Sequence, residues 1–288
     1  MTCPDRTSAN LSRRSFIAGS LGAAAMPLLA DISSLRIGTM DTVLNLAGNP
    51  EALPVAKRLG LAAVQVTLGV SKDEKTLPLE DKQLQQQYLN TARKQNIPID
   101  ATYIDMLHVS CLKSNPEAPK WVLKGIEITK NLRAPILMTV FFGKCAILNR
   151  TELDYVIDAF RDLTVEAQKA GVILGFENTL SGKDNRYAVD RIASPFFKIW
   201  YDVGNSTYNG YNAPDEIRML GRERICEFHF KDKGYLGQGA VKYPPILKAI
   251  KEIRFEGYAN LETTSPSGNV EADTKRNLKY LQNLMSAV

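Results

Sequence analysis

The sequence predicts an α/β protein built as a single (β/α)8 barrel, the TIM-barrel architecture. Three observations predict it. Short apolar, β-rich runs alternate with longer amphipathic runs eight times from Leu35 onward. The connections are short, and the alternating part of the 288-residue chain comes close to the roughly 250 residues that such a barrel takes. The last four strand-like runs each end in a side chain able to ligate a metal, Glu177, Asp202, His229 and Glu262, which suits a fold whose active sites lie at the C-terminal ends of its strands. A doubly wound open sheet is the alternative. It normally begins with a glycine-rich phosphate turn after strand one, and Gly38-Thr-Met-Asp-Thr42 does not supply one.

Residues 35–40 read as the first strand and 50–59 as the first helix, with Glu51 near its start and Lys57-Arg58 in its last turn, each at the favourable end of the helix dipole. Gly60 stops that helix. Strand two is 62–68. Helix two, 80–95, places Leu84, Tyr88, Leu89 and Ala92 at helical spacing. Strand three, 97–104, leads into a long loop, 105–115, whose His108 and Cys111 mark it as a lid or pocket wall. Helix three, 116–132, precedes strand four, 135–142, which is nearly all apolar as befits a strand buried on both faces.

Thr151 is expected to cap helix four, and Gly171 to end it. Strand five is 172–177, helix five 183–194 and strand six 197–202. A loop is expected over 203–211 and a short helix over 214–220. Strand seven, 224–230, is followed by the glycine-rich Gly234-Tyr-Leu-Gly-Gln-Gly239. A helix starting near Pro244-Pro245, strand eight at 258–262 and a last helix at 270–285 complete the chain.

With 44% hydrophobic residues the chain can bury a large core. The net charge of +5 is spread among mixed signs with no basic block in the body, so no nucleic-acid partner is implied. The N-terminus differs in kind. Leu11-Ser-Arg-Arg-Ser-Phe-Ile17 runs into Ala18-Gly-Ser-Leu-Gly-Ala-Ala-Ala25, and this resembles a twin-arginine export signal. Its apolar run is too short and small-sided for a stable membrane span. The resemblance implies an address over residues 1–30, cleaved after Ala25 or Ala30, recognition by the twin-arginine translocase, a periplasmic or otherwise exported product, and a barrel over 31–288. Cys111, Cys145 and Cys226 show no CxxC spacing and are expected to be buried free thiols.

Neighbouring strands lie about 4.8 Å apart, so four consecutive strand ends can converge on one ion. One such carboxylate or histidine is ordinarily a satisfied hydrogen-bonding group; four in succession point to a shared divalent cation. The oxygen-rich set of Glu177, Asp202, His229 and Glu262 suits Mn²⁺ best, then Mg²⁺, with Co²⁺ and Zn²⁺ also fitting.

In Phe176-Glu-Asn178, Tyr201-Asp-Val-Gly-Asn205, His229-Phe-Lys-Asp232 and Asn260-Leu-Glu-Thr263 the chain resembles the xylose-isomerase-like barrel superfamily, in particular its sugar phosphate isomerase/epimerase branch with the ketose 3-epimerases. The resemblance implies a metal that chelates a carbonyl and an adjacent hydroxyl of a small carbohydrate. Glu177 and Glu262 would then act on opposite faces of the reacting carbon as base and acid, with Asp202 and His229 as ligands. His108, Asn205, Lys231 and Gln238 are the candidate substrate contacts, although Lys231 fits a structural ion pair as well and Asp232 a supporting role. Asn205 stands where many relatives carry histidine, and Gln238 where many carry glutamate. Tyr208, Tyr211, Tyr235 and Trp200 either stack on a sugar ring or pack the barrel end.

The expected function is a metal-dependent sugar isomerase or epimerase working through an enediolate. A lyase or hydrolase on exported 3-keto-glycosides and an inert sugar-binding barrel are the alternatives, and the oligomeric state is open, a dimer or tetramer being compatible with the sequence. The DNA-repair branch of the superfamily needs several histidines for three zinc ions, and two histidines are too few.

Overall fold

The computed structural model describes residues 34–70 and 75–287. Eight parallel strands close into a barrel in chain order. They are β1 (Leu35–Met40), β2 (Val64–Thr67), β3 (Ile99–Ile104), β4 (Ile136–Val140), β5 (Ile173–Glu177), β6 (Phe197–Asp202), β7 (Ile225–Phe230) and β8 (Gly257–Leu261). Closure is made by β1 against β8, in register from Leu35↔Gly257 to Thr39↔Leu261. Around the barrel lie α1 (Ala52–Leu59), α2 (Lys82–Gln95), α3 (Ala118–Asn131), α4 (Arg150–Ala170), α5 (Gly182–Ile192), α6 (Val203–Tyr208), α7 (Ala213–Arg224), α8 (Tyr243–Glu252) and α9 (Val270–Met285). The open-sheet alternative is thereby excluded. Among the described residues no helix is long and apolar enough to cross a membrane. The export signal expected over residues 1–30 lies outside the described residues.

Strand alternation decides which side chains reach the barrel interior. Phe176 points outward into a buried aromatic cluster, 4.9 Å from Phe141, 5.7 Å from Phe160 and 5.5 Å from Phe197 between ring centroids. Burying rings of this size contributes on the order of 2–3 kcal/mol each. Glu177, next in sequence, must therefore face inward. On β7, Phe228 packs on Phe255 and Phe230 on Tyr243, which turns the intervening His229 inward in the same way.

Three local expectations are corrected. Helix α4 is capped by Asn149, whose side chain accepts from the Glu152 N–H, rather than by Thr151, because the helix begins earlier at Arg150. Residues 203–208 form helix α6 instead of loop: the Asp202 carboxylate caps it through the N–H groups of Gly204 and Asn205. Cys111 and Cys145 are joined in a disulfide rather than being free thiols. They sit 34 positions apart, in the loops after β3 and β4. Adjacent strands bring those loops together, and spacing along the chain does not reveal it. Cys226 is a free thiol, half-buried.

Candidate metal centre

Glu177, Asp202, His229 and Glu262 meet at the C-terminal mouth of the barrel, their nearest ligand atoms all within 4.8 Å of one another. The first three are buried, and Glu262 is half-buried toward the opening. His229 is central. Its Nδ1 lies 2.9 Å from Glu177 Oε1 and 3.1 Å from Glu262 Oε2. Its Nε2 lies 2.7 Å from Oε1 of Gln65 on β2. An amide oxygen accepts only, so Nε2 carries a hydrogen; the carboxylates likewise only accept, so Nδ1 is protonated against them, and a bound cation would take the place of that proton on the Nδ1 lone pair. Trp200 packs edge-on against the imidazole at 4.9 Å and holds its plane.

Lys231 enters from the position just past β7, the strand that carries His229. Its Nζ lies 2.7 Å from Asp202 Oδ2 and 3.0 Å from Glu262 Oε2. Its stem crosses Gly204 so closely that a Cβ there would collide with it, which accounts for glycine two residues after the aspartate. Burial lowers the proton affinity of Lys231, but Asp202 and Glu262 outweigh it and raise the net value. Burial alone would raise Glu262, yet His229 and Lys231 more than offset this and hold it below the ordinary carboxylate range. For His229, burial opposes protonation, and Glu177 with Glu262 overcomes it, lifting the imidazole to about 10.

These shifts amount to a test of fit for a cation. Three carboxylates beside one lysine leave an excess of negative charge in a buried site. A divalent ion with neutral imidazole balances three carboxylates and one ammonium, whereas without it the site recruits protons onto His229. Three oxygen donors and one nitrogen converging from four strands are a donor set that hard or borderline divalent cations accept.

Of the candidate substrate contacts, Lys231 is drawn into the centre as an ion-pair partner. Asn205 lies beside it and donates its backbone N–H to Asp202 Oδ1 at 2.9 Å, while its side-chain Nδ2 is buried and unpartnered among the described residues. His108 sits on the rim, its Nδ1 2.6 Å from Asp105 Oδ1. Gln238 is exposed on the glycine-rich loop, with no bond to the centre among the described residues. Asp232 has the supporting role: its carboxylate accepts from the N–H groups of Gly237 and Gly239 and from the Tyr208 hydroxyl, and so fixes that loop. A Cβ at Gly239 would strike Asp232. Tyr208 and Trp200 thus serve packing and loop anchoring. Sequence reasoning missed Gln65 and Asp105. The one available signal for Gln65 was a lone amide within the apolar run 63–68.

Residues 53–284 match the family model described as xylose isomerase-like TIM barrel. The chain is 30% identical over 81 aligned positions to a protein of Escherichia coli (strain K12), SgbU, whose name assigns it provisionally as an L-ribulose-5-phosphate 3-epimerase; the alignment takes in 24% of this chain and only 28% of that relative. Among solved structures, D-allulose 3-epimerase from Methylomonas sp. superposes with a TM-score of 0.71 at 15% identity, covering 87% of this chain and 98% of that one. D-psicose 3-epimerase from Clostridium cellulolyticum H10, solved with D-tagatose, gives 0.74 at 12%, covering 87% and 99%. The IolI protein with a binding zinc atom gives 0.71 at 16%, covering 88% and 98%. These structural likenesses are likenesses of fold, and the family model is what places the sequence: the chain belongs to the xylose isomerase-like TIM barrel family.

Proposed function

We propose that the protein is a metal-dependent sugar epimerase or isomerase that removes and returns a proton next to a carbonyl. The observation that carries this reading is the pair Glu177 and Glu262, which approach His229 Nδ1 from two strands, at 2.9 and 3.1 Å, within one four-residue ligand set. Glu177, Asp202, His229 and Glu262 would hold the cation, Mn²⁺ or Mg²⁺ first by the chemistry of the donors. Bound there, a divalent ion supplies Lewis-acid stabilisation of the negative charge that develops on the substrate oxygen.

The side chains do the rest. A C–H beside a carbonyl yields its proton only to a base held in contact with it, and Glu262 is the carboxylate that its neighbours keep ionised. Glu177, on β5, would return a proton from the other side, and in the reverse reaction the two would exchange roles. Lys231 holds Asp202 and Glu262 in place and lies close enough to the mouth to donate to a sugar oxygen. The Asn205 amide, buried and unpartnered, is a further donor for a hydroxyl.

The substrate class that suits this site is a ketose, and the names of the similar structures, D-allulose and D-psicose 3-epimerases, support it. Export through the twin-arginine pathway is part of the proposal. Arg13-Arg14 motivate it, and the Cys111–Cys145 bridge supports it, since disulfides persist mainly in oxidising compartments. The test is direct. Chelator-stripped protein should lose interconversion of D-allulose and D-fructose and recover it with Mn²⁺, Co²⁺ or Mg²⁺. Full turnover by stripped protein would defeat the metal role, and release of an aglycone from a keto-glycoside would point to elimination instead.

A further inference from the structure

One polar assembly at the mouth is left unused by the metal ligands. His108 and Asp105 occupy the single 3-10 turn that follows β3, with His108 Nδ1 2.6 Å from Asp105 Oδ1. The His108 ring lies against Phe142, 5.9 Å between centroids and tilted by 32°. Phe142 belongs to the segment after β4, and the Cys111–Cys145 disulfide joins these same two segments, with Cα atoms 4.9 Å apart. Cys145 Sγ lies 3.3 Å from the carbonyl oxygen of His108, so the bridge packs on the histidine's own backbone. Lys113 adds a second tie: its Nζ donates to the Ala146 carbonyl at 2.6 Å and pairs with Glu152 at 3.2 Å. The loops after β3 and β4 therefore form one wall. Strand β4 is paired with β5, whose last residue is Glu177.

We propose that His108 is a substrate-positioning residue of the sugar site, held on the Glu177 side of the mouth by Asp105, Phe142 and the Cys111–Cys145 disulfide, and that this placement depends on the disulfide being formed. The inference rests on the sugar-epimerase reading above. With Nδ1 committed to Asp105, the nitrogen free to meet a ligand is Nε2, and a side chain 41% exposed leaves it accessible from the mouth. The hydrogen bond that His108 Nδ1–H donates to Asp105 favours the imidazolium most, burial opposes it, and Glu177 adds to it. Asp105 on its own turn and Glu177 at the end of β5 are the charged groups that act on it. Phe142 and the disulfide, which face it from the β4 side, carry no charge. In the imidazolium, Nε2–H donates to a sugar oxygen, and in the neutral ring, whose hydrogen Nδ1 keeps for Asp105, Nε2 accepts from a sugar hydroxyl.

His108 and His229 are the two histidines of the chain, so each contributes one imidazole Cε1–H resonance. The experiment follows both by NMR from about pH 5 to 9 in Mg²⁺-loaded protein, before and after reduction with a phosphine that leaves two thiols, and measures KM and kcat for D-allulose in the same samples. In the oxidised protein His108 should titrate above the ordinary imidazole value. On reduction that value should fall, and KM should rise about tenfold, the loss of one good hydrogen bond, with kcat changed much less and metal content constant. Asp105→Asn should lower the His108 titration with the disulfide intact, so the inference stays testable if the reduced protein unfolds. His108→Asn, which keeps an amide donor, should recover part of the KM lost in His108→Ala. An unchanged His108 titration and KM after verified reduction would overturn the proposal and leave the epimerase reading standing. Absence of ketose turnover in the oxidised, metal-loaded protein would overturn the epimerase reading, and the substrate role of His108 with it.

Discussion

Replacing Gln65 with leucine should weaken Mn²⁺ or Mg²⁺ binding by roughly 10–100-fold, although Gln65 touches no ion. Its amide oxygen accepts the Nε2–H of His229 at 2.7 Å, and its Nε2 rests 3.3 Å from Met138 Sδ, all within the closed barrel. Leucine is near in volume and branching but accepts nothing. The Nε2–H would be left buried without a partner, a cost of about 1–3 kcal/mol. The histidine would also be free to move its hydrogen to Nδ1 and turn the wrong nitrogen toward the carboxylates. At about 1.4 kcal/mol per decade, that cost covers the expected loss. Calorimetric titration of Mn²⁺ into chelator-stripped wild type, Gln65→Leu and Gln65→Glu measures it. The glutamate, a stronger acceptor that adds negative charge, should bind the ion at least as tightly as wild type. Equal affinity for wild type and a folded Gln65→Leu would refute the tautomer argument.

Glu177→Gln and Glu262→Gln should each reduce ketose turnover by about 10²–10⁴-fold with the circular dichroism spectrum unchanged; retention of turnover in either would remove it from the acid–base pair. Opening the Cys111–Cys145 bridge, whose cysteines are 34 positions apart, should cost about 4 kcal/mol by loop-closure entropy. Calorimetry should read this as a fall in Tm of roughly 8–16 °C. Asp41 ends the first strand's turn with its carboxyl buried, and burial lifts it from 3.8 to about 7 against the opposing N–H groups of Thr67 and Gly48. The folded chain therefore binds more protons than the unfolded chain between those values, and its stability falls as pH rises through that window. Asp41→Asn should flatten that slope in denaturant titrations; an unchanged slope would place the titration elsewhere.

The barrel was legible because its signal is repeated: eight alternations survive errors of a few residues at each end, and strand six and the last helix were located to the residue. The convergence of the four candidate ligands was legible for a related reason. A carboxylate or imidazole closing an apolar strand stands out against its background, and the fold says where such residues go. What remained hidden depends on neighbours far apart in sequence. Gln65 reaches His229 across 164 positions, and a buried amide in a strand has no periodicity to betray it. The disulfide joins loops that only adjacent strands bring together. Helix α6 was missed because its stability comes from Asp202 acting as its cap, a role concealed by the same residue's place in the ligand set.

The four candidate metal ligands come from β5, β6, β7 and the residue after β8 in unbroken order, and Lys231 with Trp200 comes from the same run. Among the described residues, the other half of the barrel sends Gln65 alone to the histidine, and places Asp105, His108 and both ends of the bridge on the rim. Such a division makes the two halves separable in evolution. The C-terminal half carries the candidate ligands as one inheritable block, tolerant of little change because carboxylates, His229 and Lys231 neutralise one another. In the N-terminal half the described residue that bonds His229 is Gln65 of β2, so the loops of that half can diversify in length and chemistry without redesigning the centre.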